Sequence, residues 1–298
     1  MDSPLRDAID AWTFPTAGTL ALLLVVLVYL RGWVRLRRAA PDDPWSWRLT
    51  AFVGGILALW IAVGSPLGTF DHALLTFHMV QHLVLMTVAA PLILIGAPVV
   101  TLLRGLRPGF VLHEPGPLSR PRPLRALGSL VTHPLTCWLA AAVAVVGWHV
   151  PAAFELGMQS PGWHAFQRTS FLVAGLLFWW PIVRPWPAAA KASQWSLPTY
   201  LFLATLPCDA LSAFLAFCGR ALYSSRLCGH VVGETARLED QASAGALMWF
   251  WVTVAYLTPA VWIVIQLLSP SHSRDRRRGP PEPRPVARLG QSKMRIHP

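Results

Sequence analysis

His78 and His82 stand four residues apart in the stretch DHALLTFHMVQHLVLMTVAAPLILIGAP, residues 71–98. On a helix that spacing stacks two imidazoles on one face, one turn apart. Such a pair can chelate a transition metal, and imidazole suits copper, zinc and iron. Met79 and Met86 lie beside the pair, and thioether sulfur suits Cu(I). Asp71, two turns before His78, falls on nearly the same face. From Leu83 to Ala97 there is no charge at all, and imidazoles at the rim of so apolar a run are costly unless something uses them. The plainer alternative is that they hydrogen-bond across helix interfaces or sit in a wet headgroup layer.

Other candidates lie at the ends of other apolar runs. His149 closes one run just before Val150-Pro151, and His164 opens the next after Pro161-Gly162. Arg168, one turn after His164, is near enough to that rim to snorkel. Asp209 falls near the middle of a later run, where an ionisable group is a functional candidate by default; a protonated or paired Asp is the competing reading. Asp240-Gln241 reads as the start of the last run, where Asp is a common helix starter. Cys218 and Cys228, with His230, share one connection. On an oxidising face a disulfide there is a better reading than a thiolate site. Cys137 and Cys208 read as packing residues. No Gly-rich phosphate loop, nucleophile elbow or HExxH zinc-protease pattern occurs, which points away from an enzyme.

These residues must be positioned by membrane helices. The 298 residues are 54% hydrophobic and only 13% charged, about half the charge of an ordinary soluble domain. Seven apolar segments are expected at 16–34, 49–66, 73–97, 134–151, 165–183, 197–219 and 243–268. All should be helical, because a spanning segment must satisfy its own backbone hydrogen bonds. The expectation is an all-α, seven-span bundle over 16–268, with a short N-terminal segment, 1–15, and a disordered basic tail, 269–298. The N-terminal segment lacks the basic start of a secretory signal, so the first run reads as a retained span.

Twenty of the 25 Lys and Arg fall in the odd-numbered connections and the tail. The positive-inside rule puts that side in the cytoplasm and the N-terminus outside. The net charge of +11 is thereby explained by orientation and contact with anionic lipid, not by nucleic acid. Many of the Trp residues, Trp33, Trp148 and Trp249 among them, read as an interfacial belt. On this topology His72, His78, His82, His149, His164 and His230 map to the outer side, and His78, His82 and His149 lie at matching depth on neighbouring spans.

The string SPLGTFDHALLTFHMVQHLVLMTVAAPLILIGAP resembles the signature of the CtaG family, multi-span bacterial assembly factors of caa-type cytochrome c oxidase. GWHVPAAFE around His149, FLVAGLLFWWPIV and DQASAGALMW around Asp240 extend the resemblance over about residues 12–265. It implies a bacterial cytoplasmic-membrane protein that helps mature a heme–copper oxidase, with oxidase subunits or copper chaperones as partners. It also implies a second histidine one turn after His164, where this chain has Arg168. That departure leaves His78, His82 and His149 as the expected core of any site.

Three function classes follow. The leading expectation is a non-enzymatic assembly factor that binds or delivers copper at the outer face. The second is a membrane electron carrier with heme ligated by the histidines; no CxxCH occurs, so the heme would be non-covalent. The third is a metal transporter, which needs a polar path that the inner half, beyond Asp209, offers little of.

Overall fold

The computed structural model describes residues 16–39, 46–64, 74–106, 128–183, 195–223 and 233–269. Asp71, His72, Cys228, His230, the 1–15 segment and the tail after Ser269 lie outside the described residues. Regular structure among those described is helical throughout: α1 (Thr16–Ala39), α2 (Ser46–Gly64), α3 (Leu75–Ile95), α4 (Pro98–Leu106), α5 (Pro134–His149), α6 (Pro151–Gln159), α7 (Pro161–Val183), α8 (Ser196–Phe217) and α9 (Glu234–Leu268). Helices occupy each of the seven expected stretches. Five of them, α1, α2, α3, α8 and α9, are long and apolar enough to cross a membrane, or six spans if α5 and α6 count as one broken span. The 23-residue α7, which carries His164, Gln167 and Arg168 in its first two turns, falls outside that set.

Several boundaries differ from the sequence reading for local reasons. After His149 the chain bends by 80° into α6, because Val150 is extended and precedes a proline, which disfavours helical backbone. The last helix begins at Glu234, so Asp240 lies inside it and does not start it. α4 is a short amphipathic helix in what reads as a connection. Arg35 Nη1 donates to the Arg104 and Gly105 carbonyls of α4 at 2.6 and 3.1 Å, satisfying acceptors that a helix end leaves orphaned.

α3 is the centre of the packing: it touches α2, α7 and α9. Close approach on both sides depends on glycine, as between membrane helices generally. A Cβ on Gly175 of α7 would lie 2.9 Å from Met86 Cα, and one on Gly55 of α2 would lie 2.7 Å from Ile93 N. Leu83, Met86, Phe171, Phe178, Leu201, Met248 and Tyr256 belong to the main apolar core. A second cluster around Tyr29, Phe52 and Ile56 joins α1 to α2.

The middle of α3 is a π-helical turn, Leu85–Ala89. Its cause is Pro91, which has no N–H for the Thr87 carbonyl and whose ring would strike that carbonyl in a regular helix. One extra residue in the turn relieves the collision, and Ala90 N–H bonds to Leu85 O. The Met86 carbonyl loses its intrahelical donor in consequence and accepts instead from Trp179 Nε1 of α7 at 2.9 Å. π-Helical turns are frequent at functional sites, and this one follows His82 directly.

Candidate metal centre

Antiparallel packing gathers the start of α3, the end of α5, the start of α7 and the segment after α8 at one end of the bundle. There His78, His82 and His164 are all buried, and they offer ligand atoms within 4.8 Å of one another. The His78 and His82 rings meet edge to face at 4.2 Å, and His78 stacks on His164 at 5.6 Å. Phe154 of α6 closes over His78 at 5.1 Å, and Phe171 of α7 stacks on His82 at 4.0 Å. Nitrogens bound tetrahedrally to one ion at about 2.0–2.1 Å stand about 3.4 Å apart. The trio therefore reaches a three-nitrogen site only after a contraction of up to roughly 1.4 Å. His82 Nε2 is buried and has no hydrogen-bond partner among the described residues, which leaves it free to ligate.

Arg168 qualifies this fit. It is half-buried, and its Nη2 lies 3.1 Å from His164 Nδ1. A guanidinium can only donate, so Nδ1 is the acceptor and the neutral ring carries its proton on Nε2. An ion taken by His164 must displace either the guanidinium or that proton. Arg168, which the sequence places near enough to the rim to snorkel, makes a direct contact with His164 within the site.

The compact trio also differs from the expected His78–His82–His149 core. His164 joins because Gly175 lets α7 lie against α3, a tertiary fact that spacing does not carry. His149 meets α3 at Met79 instead: its Nε2 is 3.2 Å from Met79 Sδ, and its Nδ1 is 2.6 Å from Val145 O. A carbonyl only accepts, so Nδ1 carries the proton and the Nε2 lone pair of the neutral ring faces the sulfur. Imidazoles that hold metals have this arrangement, one nitrogen donating to a carbonyl and the other directed at the ion.

Two further elements hold the histidine helix in place. Asp240 of α9 accepts from Leu75 N at 2.6 Å and from Thr76 N at 3.2 Å, and Thr76 Oγ1 donates to it at 2.6 Å. It caps α3 from another helix and does not start its own. The negative charge at a helix N-terminus adds to the capping. Gln241 is buried and saturated: Leu222 N donates to its Oε1 at 2.9 Å, and its Nε2 donates to the Leu215 and Arg220 carbonyls. It thereby secures the stretch that carries Tyr223. Tyr223 Oη donates to His149 O at 3.1 Å, and burial raises its phenol well above the ordinary value, so it stays a donor. Spacing along one chain signals neither arrangement, since both are made in trans.

Of the remaining candidates, Met86 lies in the π-helical turn and lines a cavity with His82 and His149. Asp209 is half-buried in α8, and its Oδ1 has no hydrogen-bond partner among the described residues. Cys218 is half-buried just after α8, while its expected partner, Cys228, lies outside the described residues. The sequence reading passed over Gln167, buried at i+3 from His164 with Oε1 unpartnered among the described residues. Its spacing on the His164 face was the available signal.

The profile of the cytochrome c oxidase caa3 assembly factor family matches residues 27–269. The chain belongs to this family. Among curated relatives of this caa3 assembly factor homologue is an uncharacterised Mycobacterium leprae protein, 25% identical over 89% of this chain and 40% of the relative. An uncharacterised Mycobacterium bovis protein is 26% identical over 92% of this chain and 41% of its own length. The chain thus spans about two fifths of these relatives. No solved structure matches it. The π-helical turn, the histidine trio and the Asp240 cap all lie within the stretch that the family profile covers.

Proposed function

We propose that this chain is a non-enzymatic assembly factor that holds copper for a heme–copper cytochrome c oxidase in the bacterial cytoplasmic membrane. The observation that carries the reading is the buried His78–His82–His164 trio, in a member of an oxidase-assembly family. Buried imidazoles at the end of an apolar bundle are expensive, and here they sit beside two further buried polar side chains, Gln81 and Gln167. The positive-inside asymmetry favours the outer face for this end, with seven crossings and a cytoplasmic C-terminus. Copper on that side is accessible to an outer chaperone and to a membrane-embedded oxidase subunit. The donor chemistry fits a transition metal, with Arg168 the one feature that weakens His164 as a ligand.

Heme is the weaker alternative. The three rings pack against one another and against Phe154 and Phe171, and the described residues form no slot for a macrocycle between them. Transport is weaker too, since among the described residues the inner half buries few polar side chains beyond Asp209, Thr101 and Thr205 among them. Elemental analysis of the purified protein with an absorption spectrum tests the choice. Copper near one equivalent without a Soret band is expected; a Soret band, or no metal after copper loading, would contradict it.

A further inference from the structure

Deeper in the bundle than the trio lies a cavity of ≈ 20 Å³, enough for one small species. Its wall is mostly apolar, and the residues that line it include Met79, Met86, Met248, Cys208, His82 and His149. Three of the six Met residues of the chain thus converge on one cavity from two helices. α3 supplies Met79, His82 and Met86 at i, i+3 and i+7, spacings that share one helix face. α8 supplies Cys208, α9 supplies Met248 and α5 supplies His149. Methionine often fills core gaps, but gap filling does not account for the nitrogens. His82 Nε2 is buried without a partner among the described residues. The Nε2 lone pair of neutral His149 stands 3.2 Å from Met79 Sδ, so two electron-rich atoms face each other with no proton between them. One ion bound at about 2.0 Å to nitrogen and 2.3 Å to sulfur bridges such a separation at a bond angle near a right angle.

We infer that this cavity is a second metal site, selective for a soft monovalent ion, Cu(I), and separate from the histidine trio. Two arguments select the ion. Thioether sulfur with imidazole suits Cu(I), and Cys208 adds its sulfur only on losing its proton. The thioether and imidazole donors are neutral, and the cost of a charge in a low-dielectric interior grows with the square of that charge, so a monovalent ion is held where a divalent one is rejected. His82 borders both sites and its Nε2 serves one ion at a time, so a cuprous ion reaching the trio has a neighbouring place to go. The inference rests on the reading that this chain handles copper, and it assigns the oxidation state and the deeper ligands.

The test uses the full chain in nanodiscs, with Ag(I) and reductant-held Cu(I) as probes. Met86→Leu/Met248→Leu keeps side-chain volume and should weaken Ag(I) binding by roughly tenfold or more, the scale on which even outer partners of a metal ligand act. His78→Ala/His164→Ala, which dismantles the trio, should retain Ag(I) binding. X-ray absorption of the Cu(I)-loaded wild type should show sulfur neighbours at about 2.3 Å. Unchanged Ag(I) affinity in the methionine variant, or a nitrogen-only shell around Cu(I), overturns the proposal. If the methionine variant does not fold, the wild-type absorption spectrum decides by itself. Failure of the oxidase-assembly reading is seen elsewhere, as normal oxidase copper in a trio mutant, and leaves these binding results intact.

Discussion

Arg168 is the residue whose identity most affects the trio. Its guanidinium donates to His164 Nδ1 and places a fixed positive charge beside any bound cation. Arg168→His removes that charge and adds an imidazole one turn from His164. Zn(II) affinity of the purified variant should rise by roughly tenfold or more; an unchanged affinity in competition titration would mean that His164 takes no part in metal binding. Asp240 acts at the same scale through backbone donors. Asp240→Ala should lower stability by about 0.5–2 kcal/mol, the usual cost of losing a helix cap, while Asp240→Asn should retain most of it. Thermal unfolding in detergent measures both.

At the scale of elements, α3 and its neighbours set the distance between ligands. Gly175 is the contact point of α7 on α3, and a Cβ there would meet Met86 Cα at 2.9 Å and Ala90 Cβ at 3.0 Å. Neither backbone can yield easily, so Gly175→Ala should cost about 1–3 kcal/mol and move His164 away from His78 and His82. Circular dichroism should show unchanged helix content while metal affinity falls; unchanged affinity would detach the trio from this packing. The element scale is also where the sequence was most and least informative. The His78–His82 pair was legible because four-residue spacing acts within one helix. The break after His149 was signalled by Val150-Pro151. The π-helical turn had its cause in view at Pro91, but a proline in an apolar run dictates some irregularity and not its kind. The capping of α3 by Asp240, the entry of His164 into the trio and the convergence of Cys208 and Met248 were not legible, because each depends on which helix packs against which.

On the whole molecule, the large apolar side chains of α1 face outward. Leu20, Leu23, Leu24 and Leu27 are 54–65% exposed, which in lipid costs nothing and in water would be prohibitive over so many residues. The imidazoles, by contrast, are turned inward at one end of the bundle. The side on which that end opens rests on the distribution of Lys and Arg. A reporter active only outside the cytoplasm, fused after residue 298, should be silent. Activity would reverse the orientation and put the trio on the cytoplasmic side, out of reach of an outer copper donor.

The central claim is that the buried histidines serve oxidase maturation by holding copper. The copper-to-heme ratio of the oxidase, isolated from cells carrying His78→Ala/His82→Ala, tests it most directly. The double variant should still accumulate in the membrane, since both residues lie near the end of α3 and the helix keeps its Asp240 cap. With the protein present, the oxidase is expected to be deficient in copper relative to heme, and added copper should restore it only partly, by mass action at the remaining ligands. A full copper complement in the oxidase, with the double variant present at normal level, would contradict the account.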